Sequence, residues 1–363
     1  TQVAGTIRAL GGALGGDGGR IETSGHALDS TGAVVIAGAA AGHGGLWLLD
    51  PADSTITASV VSGYQTTLNS GTSVLNDVTG TMDWVSGADL VKSAGGDATL
   101  TLRCTGRVSL SSNISSTAGK LNLVLWSDSD NTLDAGVTIG QAVTFSTNGG
   151  HVWIGGGTAG STWSGLAVGA GASRGSAGFN SNGTDLRGTF NTAGGNIRIA
   201  GASTANLVGQ VIADVYLGWL SGLAINAGSG NVEIYGDKIT ADNASSVTTT
   251  GTLTIAPWST SFFSAFTWGA TLTNPNTTQS TGPNGLTINS QSALGGLVLG
   301  KTANAANLTV STNLAIAGPI SLYGGDVTLN AGLTSSNSGA GILVKAVSGV
   351  SASPTVTLVA LTA

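Results

Sequence analysis

The sequence predicts an all-β fold, a parallel β-solenoid with essentially no helix, on three observations. The first is a recurring phrase in which one or two small turn residues precede a short apolar–polar–apolar alternation. It appears as GGDATLTLRC (95–104), GKLNLVLWS (119–127), GGHVWIGG (149–156), GGNIRIAG (194–201), SGNVEIYG (229–236), TGTLTIAP (250–257), NGLTINS (284–290), GGLVLGK (295–301), ANLTVST (306–312), GPISLYGGDVTLNAG (318–332) and AGILVKA (340–346). Alternation with period 2 marks strands with one buried face. The second is spacing: several copies lie about 20 to 22 residues apart, as from Leu100 to Leu121 or from Leu286 to Leu308, and a fixed period of that size marks a stacked array. The third is composition. Only 8% of residues are charged while 41% are apolar, against about a quarter charged in ordinary globular chains. The apolar residues fall on alternate positions, which fits an ordered β protein with a Ser, Thr and Asn exterior.

The elements follow in order. Residues 1–60 are Gly- and Ala-rich with the apolar runs AVVIAG (33–38) and LWLLDPADSTITAS (46–59), where DPAD is a turn between strands. Residues 61–94 are more polar, with strand-like TMDWVS (81–86), and residues 95–156 hold the clearest repeats. Two segments break the pattern. One, near 157–193, is Gly-, Ser- and Asn-rich and reads as long loops or a hairpin leaving the wall. The other, near 256–284, places Trp258, Phe262, Phe263, Phe266 and Trp268 within 11 positions. No stretch shows the 3.6 period together with caps that a helix requires.

Residues 1–363 therefore read as one solenoid, a piece of a longer protein, with those two excursions. At about 22 residues per coil, roughly 15 coils are expected, less what the excursions consume, stacked at about 4.8 Å into a rod on the order of 70 Å long. Each coil depends on its neighbours. The phase of the alternation sends Leu100, Leu102, Leu121, Leu123, Val152, Ile154, Ile197, Ile199, Val232, Ile234, Leu253, Ile255, Leu308, Val310, Val327 and Leu329 inward.

Composition also excludes classes. Gly is 59 of 363 residues without a Gly-X-Y period, so the chain is not collagen. The net charge of −6 comes with few, scattered basic residues, so nucleic acid is not an expected partner. The single cysteine, Cys104, shares a face with Leu100 and Leu102 and reads as a small core residue; it permits no internal disulfide. No segment reaches the ~18 apolar residues of a membrane span; the nearest, 211–225, is interrupted by Asp214 and two glycines.

GGDGGRIETSGHAL (15–28) followed by GLWLLDPADSTI (45–56) resembles the repeat region of filamentous-haemagglutinin-like adhesins, the large exoproteins of bacterial two-partner secretion. Residues 79–130 are similar to the segment that follows in those proteins, and LTVSTNLAIAGPISLYGGDVTLNAGLTSS (308–336) resembles their later repeats. The resemblance covers about two thirds of the chain, mainly 10–135 and 285–350. It implies a right-handed parallel β-helix, an extracellular location at the bacterial cell surface, and roles in adhesion, aggregation or biofilm, with no cofactor and no catalytic residues. The family's secretion domain carries NPN-type motifs near the mature N-terminus. Here Asn274-Pro275-Asn276 lies late in the chain and does not read as that signal.

Several motifs are candidate sites. Gly155-Gly156-Gly157-Thr158-Ala159-Gly160 matches GxGxxG, but a dinucleotide site needs a helix next, and STWSGLAVGAGAS has no helical period. Gly171-Ala172-Ser173-Arg174-Gly175 matches GxSxG without a strand-to-helix elbow. Asp128, Asp130 and Asp134 form a calcium candidate, set against a solvated turn. Glu22, Asp185, Glu233, Asp237 and Asp326 stand alone in sequence, without the paired carboxylates a carbohydrate-active β-helix enzyme needs. Trp126, Trp153 and Tyr235 are out of phase with the core rows. With Trp258 and Trp268 they are candidate surface-binding aromatics, the other reading being that they pack beneath the excursions.

The expected function is a structural and adhesive fibre segment. Its partners would be copies of itself or flanking repeats end to end, with polysaccharide or a host or abiotic surface as ligand. The competing classes are a polysaccharide lyase or glycosidase, which needs a groove with facing carboxylates, and an ice- or surface-binding solenoid, which needs a regular hydroxyl ladder on one face.

Overall fold

The computed structural model describes residues 1–132, 135–175, 182–204, 212–218, 221–242, 245–269, 272–273, 285–353 and 358–360. Three walls of parallel strands enclose one apolar core, the arrangement of a parallel β-helix. The first wall runs through Arg20–Ser24, Leu46–Asp50, Ser73–Val78, Ala98–Cys104, Leu121–Trp126, Val152–Trp163, Ile197–Ser203, Val232–Tyr235, Thr252–Ala256, Gly296–Leu299, Ile320–Leu329 and Ile342–Ala352, each paired in parallel with the next. The second and third walls are 7-stranded and built mostly of three-residue strands, such as Val108–Leu110 and Ile114–Ser116.

All sixteen residues expected inward are at most 1% exposed, and Cys104 is buried among them. The first wall holds twelve strands and spans roughly 50 Å at about 4.8 Å per strand, shorter than the expected rod. Coils lengthen where the chain leaves the wall, as from Val152 to Ile197 and from Leu253 to Leu297, and even where it does not they exceed about 22 residues, as from Val74 to Leu100.

In most of its copies the recurring phrase is the corner that opens a first-wall strand; NGLTINS (284–290) instead holds the third-wall strand Thr287–Asn289, so the spacing from Leu286 to Leu308 joins strands of different ladders. Gly150, Gly195, Gly230, Gly251, Gly295 and Gly318 each lie two residues before an inward residue of the first wall. They form a column in which coils meet backbone to backbone. A Cβ on Gly195 would strike the carbonyl oxygen of Gly150, and one on Gly318 that of Gly295. Just after the column, an outward side chain accepts a hydrogen bond from the next coil's backbone. Asn122 Oδ1 accepts from the His151 N–H (2.9 Å), His151 Nδ1 from Asn196 (2.8 Å), Asn196 Oδ1 from Asn231 (2.9 Å) and Asn231 Oδ1 from Thr252 (2.8 Å). Corner amide groups thus find partners that the ladder does not supply.

The expectation of essentially no helix fails at Ala58–Asn69. Val61, Tyr64 and Leu68 face the core, but Val60, Val61, Gly63, Thr66 and Thr67 are poor helix formers, so packing rather than propensity holds this helix. It stands in the third wall between strands Ala33–Ile36 and Leu90–Lys92 and serves the edges of both. Thr67 Oγ1 accepts from the Val35 N–H (3.0 Å) on one side. Gln65 Oε1 accepts from Val91 (3.0 Å) and Asn69 Oδ1 from Ser93 (2.8 Å) on the other. Gly63 lies so close to the Ala33 carbonyl that a Cβ would collide with it.

The excursions are also shorter than expected. Thr184–Leu186 and Gly188–Asn191 already belong to the second and third walls, so the first excursion ends well before residue 193. Its core is an antiparallel hairpin, Val152–Trp163 with Leu166–Gly171, turning at Ser164 and Gly165, both with positive φ (48° and 79°), the turn geometry that suits the twist of paired strands. In the second excursion Phe266–Trp268 pairs in parallel with Leu308–Val310 and antiparallel with Leu272–Thr273, and Phe262, Phe266 and Trp268 join the main core, so this stretch is wall, while 270–271 and 274–284 lie outside the described residues. Asn274-Pro275-Asn276 lies outside the described residues.

Candidate functional surfaces on the three walls

The outer face of the first wall is charged and aromatic. Trp126 and Trp153 point away from the main core, but the hairpin covers them at 3% and 2% exposure. With Val124, Trp163, Leu166 and Val168 they form a second, outer core. The two indoles meet edge to face at 6.0 Å, and Trp126 Nε1 donates to the Gly157 carbonyl of the hairpin (2.7 Å). Gly169 lies against the same indole where a Cβ would not fit. Arg103 stacks on Trp126 at 5.2 Å and pairs with Asp77. Arg198 lies between Trp163 and Tyr235, 5.4 Å from each ring, and pairs with Glu233. Burial raises the Tyr235 hydroxyl above its ordinary pKa, with Glu233 acting in the same direction. Burial lowers the His151 imidazole, and its Nδ1 is the acceptor for Asn196.

Of the five aromatics singled out in sequence, Trp126, Trp153 and Trp268 are therefore covered and offer no ring to a ligand. Tyr235 and Trp258 are half-buried, and the Trp258 carbonyl accepts from Lys301 (3.1 Å). The exposed ring of that region is Phe263, beneath Lys238 at 4.6 Å.

The second wall gathers ionisable residues that stand apart in sequence. Register places Asp185 beside Tyr216, and Tyr216 beside Thr240. Asp185 pairs with Arg187 (2.8 Å), and the Tyr216 hydroxyl donates to Asp242. Asp185, Tyr216 and Asp242 are all buried, and burial raises both the Asp185 carboxyl and the Tyr216 hydroxyl. Asp214, at the corner leading into this wall, accepts from the backbone N–H groups of Ser203, Asp237 and Lys238. Burial holds its carboxyl up at about 6. Sequence spacing could not reveal this grouping, because the coils joining these residues differ in length.

The motif candidates resolve locally. Asp128 is fully buried and faces Arg174 at 3.7 Å, Asp130 Oδ1 accepts from the Thr132 hydroxyl (2.9 Å), and Asp134 lies outside the described residues. Among the described residues no three His, Cys, Asp or Glu side chains group to hold a metal ion. Ser173 of the GxSxG match is buried in a strand, shares a hydrogen bond with the Ser127 hydroxyl (2.8 Å) and donates to the Gly183 carbonyl (2.6 Å). The GxGxxG match runs into the antiparallel hairpin, with no helix after it. A shallow groove of about 320 Å³ opens near the start of the first wall, lined by Asp17, Arg20 and His43 among glycines. No described helix is long and apolar enough to cross a membrane.

The third wall differs from both others. One inward row is apolar and includes Phe145 stacked on Phe190 at 4.9 Å, while Lys92, Ser116 and Thr249 of the same wall are buried polar side chains. Its outward residues form two columns in unbroken register, Thr144–Thr189–Ala224–Ser246–Thr287 and Ser146–Asn191–Asn226–Thr248–Asn289. Every one of these side chains is half-buried or exposed, and none is ionisable. Asn226 Nδ2 donates to Asn191 Oδ1 (2.9 Å), and Asn289 Nδ2 to Thr248 Oγ1 (3.2 Å). The sequence hid these columns because most of their strands are too short to display an alternation and the coils joining them differ in length. No protein-family model, curated protein or solved structure matches the chain.

Proposed function

We propose that this chain is a structural and adhesive segment of an extracellular bacterial fibre, in keeping with the exoprotein repeats that its sequence resembles. The carrying observation is the first wall. Twelve parallel strands run from Arg20 to Ala352, each coil is held by its neighbours, and the hairpin that leaves the first wall packs on its outside. Stability of that kind is cumulative and suits a spacer that presents surfaces. The exposed Leu343, Val347 and Val350 on the last long strand fit cover by flanking coils or by another copy. The carbohydrate-active enzyme reading has less support, since the clustered carboxylates Asp185, Asp214 and Asp242 are buried and already engaged.

The test coats beads with the folded chain and measures their retention on bacterial, host and abiotic surfaces. Retention above uncoated beads is expected. Absence of retention on all three, or release of product from a polysaccharide that Asp185→Asn abolishes, would replace this reading.

A further inference from the structure

We propose that the third wall is the binding face, and that its ligand is a neutral, extended polysaccharide lying along the solenoid axis. The inference rests on the adhesive reading and names the ligand of that reading. Charge is the first argument. The outward columns carry no Lys, Arg, Asp or Glu over five successive coils. A polyanion would find no counter-charge there, and a neutral polymer would meet no unpaired one. The first wall is the reverse, with Arg103, Arg198, Asp77 and Glu233 on its outer face.

Functional groups are the second argument. Thr and Ser hydroxyls both donate and accept, and Asn amides supply one donor group and one acceptor, which matches the mixed character of sugar hydroxyls. The bonds from Asn226 to Asn191 and from Asn289 to Thr248 fix three amides before any ligand arrives, which lowers the ordering cost of binding.

Periodicity is the third argument. The pair of outward positions recurs at each coil, about 4.8 Å apart. A polymer of identical rings can repeat the same small contact at every coil, so weak contacts add through linkage. A globular protein partner presents no such repeat; a second copy of this solenoid does, and self-association is therefore one of the outcomes that the test separates. All of these side chains are at least partly accessible, unlike the indoles beneath the hairpin.

The experiment is affinity electrophoresis of the folded chain through gels holding a neutral β-glucan, a neutral galactomannan or anionic polygalacturonate. The wild-type chain should be retarded by a neutral polymer, and 1 M salt, which screens charge over about 3 Å, should leave the retardation unchanged. The double variant Thr189→Lys/Thr248→Lys should weaken it by more than about tenfold, since both charges interrupt the repeated contact. Thr254→Lys, outward on the first wall, should leave it unchanged, and circular dichroism should show all chains folded. If the lysine variant fails to fold, Thr189→Val/Thr248→Val keeps the side-chain shape, removes the hydroxyls and must also weaken retardation.

Four outcomes overturn the proposal: no retardation by either neutral polymer, retardation by polygalacturonate alone, equal retardation of the third-wall variants, or a self-associated state that the lysine variant dissolves without any glycan effect. Beads that still adhere while the gels show nothing would remove this ligand and leave the adhesive reading standing. Beads that do not adhere would remove the adhesive reading instead.

Discussion

The first and third walls enclose the same core yet solve different problems. The first wall is the continuous one. Its strands are long, its opening corner is a column of glycines, and its outer face is closed in the middle by a hairpin over Trp126 and Trp153. The third wall is built of short strands and interrupted at one end by the helix Ala58–Asn69, yet its outward columns from Thr144 to Asn289 are uncharged and half-buried or exposed. The wall that carries the stacking is thus decorated and charged, and the wall with shorter strands is left plain. Continuity and availability are separate properties of a solenoid wall.

The largest test of that division is at the glycine column. Gly195→Val sets a side chain against the backbone of Gly150 and Gly149, which cannot move aside without separating the coils. A loss of about 4 kcal/mol or more is expected, among the large single-site effects, measured as a shift in urea midpoint. Ala224→Val, outward and half-buried on the third wall, should change stability by less than about 0.5 kcal/mol. Equal losses at the two sites would mean that the walls carry the stack equally.

Next in size is the outer core. Trp153→Ala removes an indole that packs between the wall and the hairpin and should cost about 3 kcal/mol. The far-ultraviolet β signal should survive at low temperature, because the inward rows are untouched, while the hairpin becomes sensitive to proteolysis near Ser164. Loss of the entire β signal would show that the hairpin is part of the main fold and not a cover.

The contrast also explains what could be read in the sequence. The phase of the first wall was legible, because strands such as Ala98–Cys104 alternate over seven residues and each follows a glycine that stacking demands. Strands of three residues, such as Val108–Leu110, cannot display a period, so the second wall and most of the third were invisible one by one; the third-wall strand Thr287–Asn289 in NGLTINS was the exception. Their outer residues become columns only when register brings Thr144, Thr189 and Ser246 together across unequal coils. The Asp185–Tyr216–Asp242 grouping was hidden for the same reason. The helix was missed because its sequence argues against it and the neighbouring strand edges argue for it.

That helix gives a smaller, local test. Thr67→Val preserves shape in the core but leaves the buried Val35 N–H without an acceptor. The expected cost is about 2 kcal/mol, the price of an orphaned buried donor. Hydrogen exchange at Val35 should accelerate more than at Leu123 of the first wall. Unchanged exchange at Val35 would mean that the helix does not serve the strand edge through this hydroxyl.

The smallest expected effect lies at the corner between the first and second walls, where Asp214 is buried and accepts three backbone hydrogen bonds. Burial is the leading cause that raises its carboxyl from 3.8 to about 6, with Asp237 adding to it and the backbone N–H groups opposing. Between those two values the folded chain holds a proton that the unfolded chain has released. The contribution of this group to stability is therefore fully present below pH 3.8 and is lost as pH rises through about 6. Lowering the pH from 7 to 5 should stabilise the protein by about 1 kcal/mol through this residue. Asp214→Asn should be less stable at every pH, because an amide nitrogen would face a backbone N–H donor, and it should lose that part of the pH slope. Urea midpoints at pH 5, 6 and 7 for both proteins decide it. Identical slopes would show that Asp214 stays ionised in the fold, and that its three N–H partners outweigh its burial.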